Sequence, residues 1–231
     1  MGNTDIFLDK YKQLENCAIN EFKLPPDGSA VAKLEKRSEF KDIKYELNYC
    51  REVRNLLQHN QKLDDEFPVE PSNKMIELLD TVIDRIKNPV RCIDVAILDR
   101  NLIWRSYEDR VLPTIKLMNE KNISHIPILK DRRVVGDFSD NCVFPFLLGD
   151  DNCHIDENTR FKDLKQYLDL EAHPSEVFKF IPADSRLSYA EKLYEEARNR
   201  HERIGLVFLT ANGRSDERIL GILTAWLIIG Q

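Results

Sequence analysis

The chain has 231 residues, is 42% hydrophobic and 32% charged, and carries a formal net charge of −6. That length accommodates two cores, and the composition is that of a globular protein. No run approaches the roughly 18 apolar residues of a membrane helix, and a negative balance excludes a protein held on nucleic acid by its bulk field.

The texture changes near Pro89. Before it the pattern is helical. "DIFLDKYKQLENCAINEF" places Ile6, Phe7, Tyr11, Leu14, Ala18 and Phe22 at helical spacing, and "LPPDGS" then breaks the chain. "AVAKLEKRSEF" predicts a shorter second helix. "DIKYELNYCREVRNLLQH" predicts a third, with Ile43, Leu47, Cys50, Val53 and Leu57 on one stripe. After the loop "NQKLDDEFPVEPS", "SNKMIELLDTVIDRIKNP" predicts a fourth, with Ser72 as N-cap and Met75, Leu78, Leu79, Val82 and Ile86 on its apolar face. Four helices without a strand predict a small bundle.

Beyond Pro89 strands and helices alternate, and a pattern recurs. The first copy, "NLIWRSYEDRVLPTIKLMNEKNISHIPILKDRRVVGDFSDNCVF", predicts strand, helix over 111–121, strand, turn "KDRR", strand and helix. The second, "EVFKFIPADSRLSYAEKLYEEARNRHERIGLVFLTANGRSDERILGILTAWLII", predicts the same order with its helix over 187–200. Each copy ends in Gly-x-x-Ser/Thr. Gly136 and Gly221 are 85 positions apart, and so are Ser139 and Thr224. The expected fold is therefore α+β in two domains. An all-α four-helix bundle covers 1–88, and a tandem α/β pair of β-α-β-β-α repeats covers 89–231, with copies at about 90–150 and 155–231.

The N-terminus "MGNTDIFLDKYKQ" lacks the basic start and apolar run of a secretion signal, and Ile6 stands where a myristoylation signal needs Ser or Thr. Five cysteines, at positions 17, 50, 92, 142 and 153, form no C-x-x-C pair. They read as reduced thiols of a cytoplasmic protein rather than a disulfide frame or a zinc site. Cys153 and His154 have no second ligand pair nearby, so no metal site is expected. The charge is evenly spread, with net −3 over 1–88 and −3 over the remainder. Any RNA contact must be local, and no DNA binding is predicted.

The repeated phrases "PTIKLMNEKNISHIPIL" with "RVVGDFSDNCVF", and "SYAEKLYEEARNR" with "ILGILTAWLII", resemble a tandem pair of cystathionine beta-synthase (CBS) domains. The resemblance implies a pseudo-twofold disc, dimerisation, and an adenine nucleotide bound as regulatory ligand between the copies. Ser139 and Thr224 sit where a strand gives way to a helix. There a hydroxyl either caps the helix or binds a phosphate beside free backbone N–H groups. Ile126, Ile128, Leu206 and Phe208 would wall an adenine ring. Arg105, Arg186, Arg198, Arg200, His201 and Arg203 are candidate phosphate contacts, although "RNRHER" also reads as a solvated helix end. Where ligand-binding copies commonly carry a ribose-gripping aspartate, this chain has Cys142 and Leu227, which cannot accept two strong hydrogen bonds. Asp140 and Asn141 lie beside the first of these positions as substitutes.

Within "REVRNLLQHN", Arg54, Asn55 and His59 form an R-N-x-x-x-H segment at the end of the third helix. With the following helix, it makes residues 5–88 resemble a HEPN domain (higher eukaryote and prokaryote nucleotide-binding), a family that includes metal-independent RNases working as dimers. The resemblance implies cleavage by the RNA's own 2′-OH without a required cofactor. His59 would be general acid or base, Arg54 would hold the phosphate, Asn55 would orient, and Arg51 would add a phosphate contact. On a regular helix Arg54 and His59 stand about 140° apart. They converge only if the helix frays near Gln58, if the arginine wraps round, or if a second copy supplies half the site. The residues alone equally allow a surface helix end with Arg54 paired to an acid such as Asp42 or Glu46. Three functions follow: a ligand-regulated RNase, a nucleotide-binding regulator with an inactive bundle, or a structural homodimer.

Overall fold

The computed structural model describes residues 2–25, 27–59, 67, 69–149, 154–173 and 175–229, without the side chains of Ser38, His59 and Ile229. The chain divides into two compact units, residues 1–90 and 91–231.

The first unit is helical among its described residues. Helix α1 (Asn3–Phe22) buries Phe7, Tyr11, Leu14 and Ala18, the stripe its spacing predicts. It stops at Lys23, which adopts the left-handed conformation (φ 49°) while Leu24 N–H donates to the Ile19 carbonyl. The predicted second helix is split. Helix α2 (Ala30–Leu34) is capped by Ser29 Oγ, which accepts from Ala32 N–H. A 3₁₀ turn over Ser38–Ile43, kinked at Phe40, then leads into α3 (Lys44–His59). Helix α4 (Asn73–Lys87) follows. Ser72 occupies its N-cap position, but its side chain makes no capping hydrogen bond. One core joins these elements, filled by Phe7, Leu14, Leu34, Leu47, Cys50, Leu79, Val82 and Ile86 among others. Each fully buried leucine or isoleucine contributes about 1.5–3 kcal/mol over its exposed state.

The second unit is mixed. It opens with α5 (Cys92–Val95) and β1 (Ile97–Leu98). The first copy continues with a single parallel bridge from Arg105 to Ile128 where a full strand is expected. Then come α6 (Val111–Lys121), β2 (Ile126–Lys130), β3 (Arg133–Phe138) and α7 (Asp140–Leu148). A 3₁₀ turn over Phe161–Leu164 and α8 (Lys165–Leu168) precede the second copy. That copy comprises β4 (Val177–Pro182), α9 (Leu187–Asn199), β5 (Ile204–Thr210), β6 (Gly221–Leu223) and α10 (Ala225–Ile229). Strands β2 and β3 pair antiparallel through a tight turn at Asp131 and Arg132, both at positive φ (51° and 62°), the twist-matched form for a two-residue hairpin. The second copy repeats the order: β4 pairs parallel to β5, which pairs antiparallel to β6.

The copies exchange their opening segments, which the sequence reading does not anticipate. Residues 91–98 dock on the second copy, where β1 adds antiparallel to the edge of β6 and Cys92 N–H donates to the Ser185 carbonyl. Residues 160–168 dock on the first, where Phe161 N–H donates to the Asp109 carbonyl. Both segments open with the same box: Asp94 accepts from Arg91 N–H at 2.8 Å, and Asp163 accepts from Arg160 N–H at 2.8 Å. Both make one antiparallel bridge to the residue that starts the long helix of the copy they cover, Arg91 to Arg186 and Arg160 to Arg110.

Candidate functional site

In the helical unit, α3 continues to His59. A frayed end before His59 therefore does not bring Arg54 and His59 together, and within one chain they keep the wide angular separation of a regular helix. Arg54 is half-buried, with its guanidinium 5.7 Å from the centre of the Tyr11 ring and Nη1 donating to Asn55 Oδ1 at 3.3 Å. Burial, the larger influence, pushes the Tyr11 hydroxyl up to about 12 despite the nearby Ser29, Arg54 and Arg51. Arg51 pairs with Glu35 at 3.0 Å and also donates to Asn48. The anticipated partner Asp42 instead accepts from Arg85 at 2.9 Å. The His59 side chain, Asn60 and the acidic run at 64–66 lie outside the described residues.

In the mixed unit, Ser139 holds the N-cap position of α7 but makes no capping hydrogen bond. It is fully buried, and its Oγ has no partner of ordinary hydrogen-bond geometry. Asp140 is exposed and accepts from Asn141 N–H at 3.1 Å. Thr224, the equivalent of Ser139, is half-buried. Ile126 and Phe208, the expected adenine walls, are both 0% exposed, and Phe208 stacks on Phe178 and meets Phe180 at a tilt. Arg105 is committed to Thr114 Oγ1 and the Trp104 carbonyl, Arg200 to Glu202, and Arg203 to Glu176.

The two positions lacking aspartate turn inward. Cys142 packs with Val111, Ile128, Phe138 and Phe161, and its thiol donates to the Asp137 carbonyl at 3.3 Å. Burial pushes that thiol up to about 12. Leu227 packs against the core that contains Leu187, Val207 and Leu223. The repeated glycines have a packing cause as well. A Cβ on Gly136 would lie 2.5 Å from the Leu168 carbonyl oxygen, and one on Gly221 would lie 2.9 Å from that of Ile97. In each copy the exchanged segment crosses its glycine too closely for any side chain.

A buried polar cluster that no sequence motif marks lies in the mixed unit. His125 Nδ1 lies 2.7 Å from Asp137 Oδ2, and His125 Nε2 lies 3.5 Å from Glu176 Oε1. Arg203 Nε reaches the same Glu176 oxygen at 3.3 Å, and His173 stands 4.0 Å from the other. The side chains of Asp137 and Glu176 are 0% exposed. No motif joins these residues. Only the hairpin turn at residues 131–132, which folds position 125 back towards 137, carried a signal. Among the described residues no group of three His, Cys, Asp or Glu side chains is placed to hold a metal ion, and no helix is long and apolar enough to cross a membrane.

No family model and no curated protein matches the chain. Solved structures do. A Vibrio cholerae protein named AcuB is 12% identical, with a TM-score of 0.45 over 62% of this chain and 89% of its own. CBSX2, solved in complex with AMP, is 17% identical, with a TM-score of 0.43 over 61% of this chain and 94% of its own. A CBS domain-containing protein of unknown function from Bacillus anthracis is 14% identical, with a TM-score of 0.41 over 61% of this chain and 91% of its own. Identities and scores this low leave ligands and activities with those proteins.

Proposed function

We propose that the protein is a nucleotide-responsive regulator. Its mixed unit acts as a tandem CBS-type pair that takes an adenine nucleotide, and its helical unit is the output. The observation that most supports this reading is the recurrence of one chain path in both copies, down to the exchanged segments, the paired capping boxes and the crossed glycines. The buried Ser139 Oγ and the half-buried Thr224 are its hydroxyl contacts, with Asp140 next to Ser139. Because Ile126 and Phe208 are fully buried, a base seats against them only after the core opens. Thr224, half-buried, is more accessible than the fully buried Ser139. Regulation then requires that the nucleotide bind two arrangements unequally.

For the output we propose metal-independent RNA cleavage in a homodimer. His59 exchanges the proton with the RNA 2′-OH or the leaving oxygen, Arg54 binds the scissile phosphate, and Asn55 orients it. Two observations support this. Arg54 already touches Asn55, and α3 exposes Tyr45 (78%), Tyr49 (51%) and Leu56 (44%) along the azimuth that also carries His59. A second copy on that stripe would bring the two His59 positions together, and Arg54, about 180° from Tyr45 on α3, would join them by leaving the Tyr11 ring and reaching round the helix. In the mixed unit, α7 and α10 are equivalent by the repeat and also expose large apolar groups, Phe144, Leu148 and Trp226. The engagement of Arg51 with Glu35 favours the second reading, a regulator whose helical unit only dimerises. Incubating labelled RNA in EDTA with and without AMP or ATP decides between them. Cleavage lost in His59→Ala and Arg54→Ala supports the nuclease. Cleavage that survives both contradicts the assignment of His59 and Arg54, and no cleavage by the parent chain leaves the non-enzymatic regulator.

A further inference from the structure

The buried cluster joins parts of the chain that belong to different copies. His125 precedes β2 and Asp137 lies in β3, both in the first copy, whereas Glu176 leads into β4 and Arg203 into β5 of the second. Cys142, on α7, faces both Asp137 and His173. The ring of Phe178, on β4, lies edge-on to both histidines, with centroids 6.2 Å from His125 and 4.9 Å from His173. Gly205 closes the floor, where a Cβ would meet His125 at 3.1 Å and Phe178 at 3.0 Å. Two buried carboxylates therefore face one another with the His125 ring between them. Arg203, whose side chain is 68% exposed, reaches only one of them.

Two buried anions this close are costly unless a cation lies between them. A protonated His125 supplies that cation and donates from both ring nitrogens, towards Asp137 and Glu176. A neutral His125 keeps one donor; spent on Asp137 at 2.7 Å, it leaves Glu176 with Arg203 alone and removes the link between the copies. We propose that Asp137, His125 and Glu176 form a proton-dependent latch between the two copies, closed when His125 is charged and loosened when it is neutral. This goes beyond the nucleotide reading and does not depend on it. The surroundings agree. Burial pulls the His125 ring down, but the hydrogen bond to Asp137 and the charges of Asp137 and Glu176 outweigh it, together with the opposing Arg203, and leave it raised. A raised value means the stabilisation is complete below the ordinary histidine range. It is lost as pH rises through the raised value, by up to about tenfold in the closed-to-open ratio per pH unit.

The test uses the full chain. Histidine ring resonances followed by NMR from pH 5 to pH 9 give the His125 titration directly. Amide hydrogen exchange of β4, corrected for the intrinsic pH dependence, gives the opening. The expected result is a His125 midpoint above that of an unstructured histidine, with β4 protection falling across the same interval. In Glu176→Gln the midpoint should move down and the pH dependence of protection should flatten. His125→Gln, where it folds, should show constant low protection at every pH. A His125 midpoint at or below the unstructured value overturns the latch. So does a protection profile unchanged by Glu176→Gln.

Discussion

Glycine at position 136 is required by the Leu168 carbonyl, since a Cβ there would come within 2.5 Å of that oxygen. Gly136→Ala must push α8 away from β3. The expected cost is about 1–3 kcal/mol of stability, read as a lower Tm. An unchanged Tm would mean that the exchanged segment does not lie where described. Cys142 makes a second residue-scale prediction. With its thiol pushed up to about 12, the thiolate fraction at pH 8 is on the order of 10⁻⁴. The buried thiol should resist maleimide in the native state and react after denaturation. The sequence reading identified position 142 by what it lacks, but not by where it points. A cysteine's inward turn depends on neighbours such as Phe161, which arrive from a segment some twenty residues away.

Helices α1, α3 and α4 were legible because one-sided burial leaves a periodic trace. Phe7, Tyr11 and Leu14, then Leu47, Cys50 and Leu57, are buried as their spacing predicts. The loss of Leu79, fully buried on α4, should therefore cost about 2–5 kcal/mol as Leu79→Ala in chemical unfolding. Arg51→Ala removes a partly exposed pair with Glu35 and should cost no more than about 1 kcal/mol. The exchanged segments left almost no trace. Each is eight or nine residues long, too short for a period to show, and its pairing is with the distant copy. The one available signal was the recurrence of Arg-x-x-Asp at Arg91–Asp94 and Arg160–Asp163. Asp94→Ala and Asp163→Ala each remove the carboxylate that accepts from the first N–H of the segment. Each should lower stability by about 0.5–2 kcal/mol, and by similar amounts if the two copies are equivalent.

At the scale of the whole molecule, the division near residue 90 and the two-copy pattern could be read from the change in periodicity and from Gly136, Ser139, Gly221 and Thr224. The buried cluster could not. Its members at 125, 137, 173, 176 and 203 are gathered only when the copies meet. In the helical unit, positions 54 and 59 stand about 140° apart on the regular helix α3, so the proposed activity depends on a second copy or on Arg54 wrapping round the helix. The central claim is that the mixed unit takes an adenine nucleotide, and Trp226, 85% exposed and two residues after Thr224, reports on it. The most direct measurement is thermal unfolding of the parent chain and of Thr224→Val with increasing AMP or ATP, followed alongside tryptophan fluorescence. The account predicts a saturable rise in Tm, equivalent to about 2.7 kcal/mol at a hundredfold excess over Kd, and a loss of most of that rise in Thr224→Val. A Tm that no adenine nucleotide moves at millimolar concentration would contradict it.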